Sequence, residues 1–210
     1  MDLDSIGRDL RASLDAKNAA RERALPLCRS AVRSSANAIR AVHRGDEEGT
    51  ERNLSEARRC LDEARTALAG HPDVHYAGFF HDAAKEYGEA RLTQAVVRGL
   101  PLPGPAELGL EAPAYLNGFG EAIGELRRHV LDLLRRGELD RSEELLGVME
   151  EIHDLLMSMD YPEAVTAGLR RTSDAMRAIV ERTRGDLTTT VIQRQLQAAL
   201  ETRAAAVDLP

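Results

Sequence analysis

Apolar residues return every three or four positions along nearly the whole chain, whereas the alternation of β-branched residues that marks a strand is almost absent. This pattern predicts an all-α protein. A long first helix is predicted from about Asp4 to Arg44, closed by Gly45, with Pro26 as a kink or restart point. A second covers about Glu47 to Ala69 and ends at Gly70-His71-Pro72, and a third covers about Val74 to Gly99. Residues 99–114 hold four of the eight prolines and read as a connector whose leucines suggest that it packs down. Helix resumes over Tyr115 to Arg136. The turn Gly137-Glu-Leu-Asp140 then offers Asp140 as cap for a helix from Arg141 to Met159. Tyr161-Pro162 breaks that helix, a further one spans Glu163 to Arg184, and Gly185-Asp186 separates it from a final helix or loosely held tail over Leu187 to Ala206. The pattern gives a single domain over residues 1–210, a bundle of about seven helices, with no internal repeat.

Composition agrees with this reading and narrows it. With 43% hydrophobic and 30% charged residues the chain is an ordinary globular one, rich in the straight-chain residues that favour helices. The start lacks the cationic stretch and apolar core of a signal peptide, and no apolar run approaches the ~18 residues of a membrane span, so a cytoplasmic location is expected. Cys28 and Cys60 lack metal-ligand spacing and read as buried free thiols.

Charge is distributed unevenly. The formal net charge is -7, yet Lys17 to Arg44 carries seven cations against one acid, Glu22, for a local charge of +6. Arg29, Arg33, Arg40 and Arg44 fall within an arc of roughly 60° on a helix. Val32, Ile39 and Val42 lie off that stripe and can face a core. Such a row of planar, permanently charged forks suits phosphate oxygens, and equally suits a solvated face paired with acids on a neighbour.

Several acids invite chemistry. Glu86 and Glu89 are three apart and adjacent on a helix surface, where their mutual repulsion is relieved by a hard cation such as Mg²⁺ or Mn²⁺, though paired glutamates are also common on exposed helices. Glu121 and Glu125 lie four apart in a stretch where Gly118, Gly120 and Gly124 suggest close helix approach. Asp154, between Ile152 and Leu155-Leu156, is expected to be costly unless paired or metal-bound. Glu150-x-x-His153 is half of a di-iron bundle signature, without the second half that architecture needs. His71, His75 and His81 fit no familiar site. There is no nucleophile elbow, P-loop or dinucleotide fingerprint.

These features occur in the order of a known family. From about Arg21 to Arg184 the chain resembles translin and translin-associated factor X. Ala38-Ile-Arg-Ala-Val-His-Arg44 resembles the end of the family's first long helix. Glu86-Tyr-Gly-Glu-Ala90 resembles the Glu-Tyr-x-Glu-Ala motif of the factor X branch, with Gly88 where a larger apolar residue is usual. Tyr115-Leu-Asn-Gly118 followed by Gly124-Glu-Leu-Arg127 is similar to the family's most recognisable stretch, and Gly137-Glu-Leu-Asp140 and His153-Asp154 match its later turn and helix. The resemblance implies a seven-helix fold, a closed hollow homo-oligomer with eight subunits as the expected number, and RNA or single-stranded DNA on the inner surface. It implies an endoribonuclease dependent on Mg²⁺ or Mn²⁺, with Glu86, Glu89 and Asp154 as catalytic metal ligands, Glu125 as a fourth, and Arg29, Arg33, Arg40 and Arg44 as the phosphate-contacting surface. A non-catalytic nucleic-acid-binding shell is the alternative, and a helical scaffold for a protein partner a third.

Overall fold

In the computed structural model, which describes residues 2–207 and the side chains of residues 2–204, two helices with matching periodicity found the first half of the chain. α1 (Leu3–Arg44) buries Ala20, Ala24, Cys28, Ala31, Ser35, Ala38 and Val42, and α2 (Glu47–Leu68) buries Thr50, Leu54, Ala57, Leu61, Ala64 and Leu68. Steps alternating between four and three keep one seam of each helix facing the other, as in coiled-coil packing, and the many alanines let the backbones approach closely. Gly45 makes the turn in the left-handed region at φ 70°, its N–H donating to the carbonyls of Ala41 and Val42. Asp46 then caps α2 by accepting from the Gly49 N–H at 2.8 Å. α1 passes Pro26 without interruption.

The third predicted helix is divided. A single turn, α3 (Pro72–His75), is followed by α4 (Phe79–Arg98), and Gly78 between them sits at φ 99°, a conformation that a helix cannot contain. α4 packs against α1 and α2 through Phe80, Ala83, Ala84, Tyr87 and Ala90. The connector carries one further turn, α5 (Pro105–Leu108), and it does pack down: Leu108 and Leu110 are buried. Its backbone is clamped by α2, where Arg58 donates to the Leu108 carbonyl and Arg65 to that of Gly109, both at 2.7 Å.

α6 (Ala112–Arg136) begins three residues before the predicted Tyr115. α7 (Leu139–Met157) is not capped by Asp140: Glu138 holds the cap position without a side-chain bond, and Asp140 lies in the first turn, where its charge still suits the helix dipole. One turn, α8 (Glu163–Thr166), precedes a pair of positive-φ residues, Ala167 at 51° and Gly168 at 83°. α9 (Leu169–Val207) then runs straight through Gly185-Asp186, so the predicted break there does not occur. A glycine inside a helix costs only ~1 kcal/mol relative to alanine. Here the neighbours Thr183 and Leu187 are buried, and Arg127 of α6 bonds both Thr183 (3.0 Å) and Asp186 (2.7 Å).

Among the described residues there are six long helices, three single turns and no strand, in keeping with the all-α prediction. They fall into two compact units, one ending at Phe119 and one starting at Gly120, with α6 running through the boundary. No described helix is long and apolar enough to cross a membrane. Cys28 and Cys60 are buried and free. Burial, reinforced by nearby Cys60, pushes the Cys28 thiol up to about 11, so it stays protonated and inert as a nucleophile near neutral pH.

Candidate functional site

α4 is buried on almost every side. Such a helix is ordinarily apolar all round; here its buried set includes a carboxylate, Glu89, which is only 9% exposed. Glu86, one turn earlier, is half-buried with Lys85 Nζ 3.8 Å from its carboxylate. An acid held in a poorly solvated place needs a cationic or hydrogen-bonding counterpart.

Close approach of α6 makes the site. A β-carbon on Gly118 would lie 2.6 Å from the Lys85 carbonyl oxygen and 2.9 Å from the Glu89 nitrogen, so only glycine lets the two backbones meet there. At Gly120 the atoms nearest a β-carbon are side-chain ones, Thr172 Cγ2 at 2.6 Å and Leu156 Cδ1 at 3.1 Å, so a larger residue there would have to displace side chains, not backbone. Gly124 has nothing within 4 Å, so close approach does not explain it. At Gly88, Leu110 Cδ1 of the connector stands 3.0 Å from where a β-carbon would be. The connector leucine thus fills the space that a larger side chain at position 88 would need.

The carboxylates that meet are Glu86 and Glu89 of α4 and Glu121 of α6, each offering an oxygen within 4.8 Å of the other two. Three carboxylate oxygens, with no imidazole or thiolate in the group, form the donor set of a hard divalent cation. The donor set therefore fits Mg²⁺ or Mn²⁺. Glu125, which the resemblance implies as a fourth ligand, lies outside this group, whereas Glu121, one turn after the tight glycine at 118, lies within it. Glu125 stands one turn further along α6, half-buried, with Arg128 at 3.9 Å.

Asp154 is not embedded in apolar surroundings. Its side chain is 87% exposed, with His153 Nδ1 at 3.9 Å, while Ile152 and Leu156 take the inward positions of α7. Its apolar neighbours in sequence therefore do not desolvate it: at 100° per residue Asp154 points away from the face that Ile152 and Leu156 share.

All four stripe arginines are exposed, and Ile39 and Val42 are buried as expected. They differ in their partners. Arg40 donates to Asn37 at 2.5 Å and Arg44 lies 3.9 Å from Asp46. Among the described residues no carboxylate pairs with Arg29 or Arg33, which border a groove with Leu25, Val32, Phe79 and Asp82. Ion pairing with a neighbouring helix thus does not account for these two.

No protein-family model matches the chain. AfC3PO, a C3PO of the translin type solved in complex with duplex RNA, is 32% identical, with a TM-score of 0.83 over 93% of this chain and 99% of that one. This chain belongs to the translin family. AfC3PO solved in a second crystal structure superposes with a TM-score of 0.82. Apo-NeC3PO, 18% identical over 90% of this chain with a TM-score of 0.73, shares the fold. An uncharacterized protein of Methanocaldococcus jannaschii, MJ0175, is 30% identical over 187 residues, 88% of this chain and 82% of its own length.

Proposed function

We propose that this translin-family chain is a metal-dependent endoribonuclease acting on RNA, and on single-stranded DNA as a secondary ligand, within a closed homo-oligomer. The observation that carries the reading is the meeting of Glu86, Glu89 and Glu121 at the glycine-enforced crossing of α4 and α6. The complex of AfC3PO, 32% identical, with duplex RNA supports RNA as the ligand.

In this reading Glu86, Glu89 and Glu121 hold Mg²⁺ or Mn²⁺, with Asp154 and Glu125 carried over from the family pattern as further ligands. When bound, such an ion polarises a phosphoryl oxygen and makes water a stronger nucleophile near neutral pH. The chain's own contribution is placement. Glu89 is fixed by its burial in α4, and the tight contact at Gly118 sets the distance to Glu121. Arg29 and Arg33, with no carboxylate partners among the described residues, offer planar donors to the phosphates of a bound strand and orient it. A non-catalytic RNA-binding shell is the second reading, favoured by the full exposure of Asp154.

The test is incubation of labelled RNA with the wild type and with Glu89→Gln in Mn²⁺, Mg²⁺ or EDTA. Cleavage by the wild type that is lost with EDTA and with Glu89→Gln, while binding persists, is the expected result. RNA bound and left intact by the wild type in Mn²⁺ establishes the shell instead.

A further inference from the structure

The first turns of α1 stand apart from the bundle. No residue from Asp2 to Ala19 is buried, and the first bond from this segment to another helix is Lys17 to Asp73, at 2.5 Å. At 1.5 Å per residue the projecting segment is ~25 Å long.

Its exposed face is not polar. Leu3, Ile6, Leu10 and Leu14 are 68%, 48%, 59% and 63% exposed. Steps of three, four and four place them within an arc of roughly 80°, in line with the seam that α1 buries further along. Gly7 adjoins the stripe and presents no side chain there. A continuous apolar stripe with a small residue beside it is the surface against which another helix packs.

We infer that this segment pairs, antiparallel, with the same segment of a second copy of the chain. The pattern is self-complementary. The register that sets Leu3 level with Leu14 of the second copy places Ile6 within one residue, ~1.5 Å along the axis, of its Leu10. Asp4 and Arg11 flank the stripe on the same edge, and this register brings Asp4 of each helix within reach of Arg11 on the other. A partner with a different sequence would not need opposite charges placed symmetrically about the centre of the stripe. A two-fold pair does, because each residue meets its counterpart's complement. The inference names the contact behind the self-association proposed above and rests on that part of the reading, but not on RNA cleavage.

The test is molar mass by size-exclusion chromatography with light scattering on the full chain. Leu10→Glu with Leu14→Glu is expected to give a smaller assembly than the wild type, with an unchanged urea midpoint showing that the bundle stays folded. Asp4→Arg is expected to weaken the assembly and Asp4→Arg with Arg11→Asp to restore it, which distinguishes this register from any apolar contact. An assembly of unchanged mass in the Leu10→Glu, Leu14→Glu variant overturns this contact while leaving self-association standing. A wild type that is monomeric at micromolar concentration overturns both.

Discussion

Gly118 and Glu89 are held so close that a β-carbon on residue 118 would stand 2.9 Å from the Glu89 backbone nitrogen. Since the obstructing atoms are backbone, including the Lys85 carbonyl oxygen at 2.6 Å, neither helix can yield by turning a side chain. Gly118→Ala is therefore expected to destabilise the fold by ~1–3 kcal/mol, the usual cost of overpacking, and to weaken Mn²⁺ binding by spreading α4 from α6. Gly124→Ala, with open space around it, is the control and is expected to be neutral or stabilising by up to ~1 kcal/mol. Urea unfolding followed by circular dichroism, with Mn²⁺ titration calorimetry, checks both. Equal effects at the two glycines would remove the crossing from the account of the site.

The choice between Glu121 and Glu125 is settled by binding. Glu121→Gln removes one of the three grouped carboxylates while keeping the size and shape of the side chain, and is expected to lower Mn²⁺ affinity by on the order of tenfold or more. Glu125→Gln is expected to do less, since Glu125 lies outside that group and has Arg128 beside it. The reverse order in titration calorimetry would return the ligand to Glu125.

Periodicity identified the long helices because each buries a regular seam, as Leu54, Ala57, Leu61 and Ala64 do in α2. Local breaks were harder. Gly78, flanked by Ala77 and Phe79, interrupts the helical pattern and Gly185, flanked by Arg184 and Asp186, does not, because the outcome depends on tertiary neighbours such as Arg127 that lie far away in sequence. The pair Glu86 and Glu89 was visible from spacing within one helix. The third carboxylate depends on which turn of α6 touches α4, a fact set by the packing of Gly118. Asp154 misled in the other direction: apolar neighbours in sequence do not bury a residue whose helical phase points outward.

Within the arginine stripe, the effects on RNA should separate. Arg29→Ala and Arg33→Ala remove guanidinium groups with no carboxylate partner among the described residues, so each is expected to weaken RNA binding and to reduce the salt slope of log K by ~1. Arg44→Ala is expected to have a smaller effect, because Asp46 already offsets part of its charge. Filter binding across a salt series gives the slopes. Slopes unchanged by Arg29→Ala and Arg33→Ala would move the phosphate-contacting surface elsewhere.

Cys28 gives the protein an alkaline limit. Its thiol is raised by burial and by Cys60 from the ordinary 9.0 to about 11 in the folded chain. The unfolded chain therefore releases this proton first. The contribution to stability is complete below pH 9 and is lost as pH rises from about 9 to about 11, by on the order of 2 kcal/mol. Cys28→Ala removes that titration, so its urea midpoint is expected to fall less steeply than the wild type's across the same interval. Parallel curves would show that the alkaline loss comes from other groups.

Arg127 belongs to the stretch that most resembles the family, yet its bonds tie the second unit together. The guanidinium is 19% exposed, donates to Thr183 at 3.0 Å and Asp186 at 2.7 Å, and so links α6 to the part of α9 that carries the interior glycine. Arg127→Met keeps the length of the side chain and removes the donors. Thr183 still donates to the Ile179 carbonyl, and Asp186 is exposed enough to be hydrated, so neither partner is left stranded. The expected loss is therefore moderate, ~1–3 kcal/mol for a charge-assisted bond. Asp186→Asn should lose less, and the two together less than their sum, because both delete one interaction. Urea midpoints of the four proteins in this cycle measure the coupling, and strict additivity would show that Arg127 acts elsewhere. With the fold retained, RNA affinity is expected to stay at the wild-type value, which separates a structural role for Arg127 from the phosphate-contacting role proposed for Arg29 and Arg33.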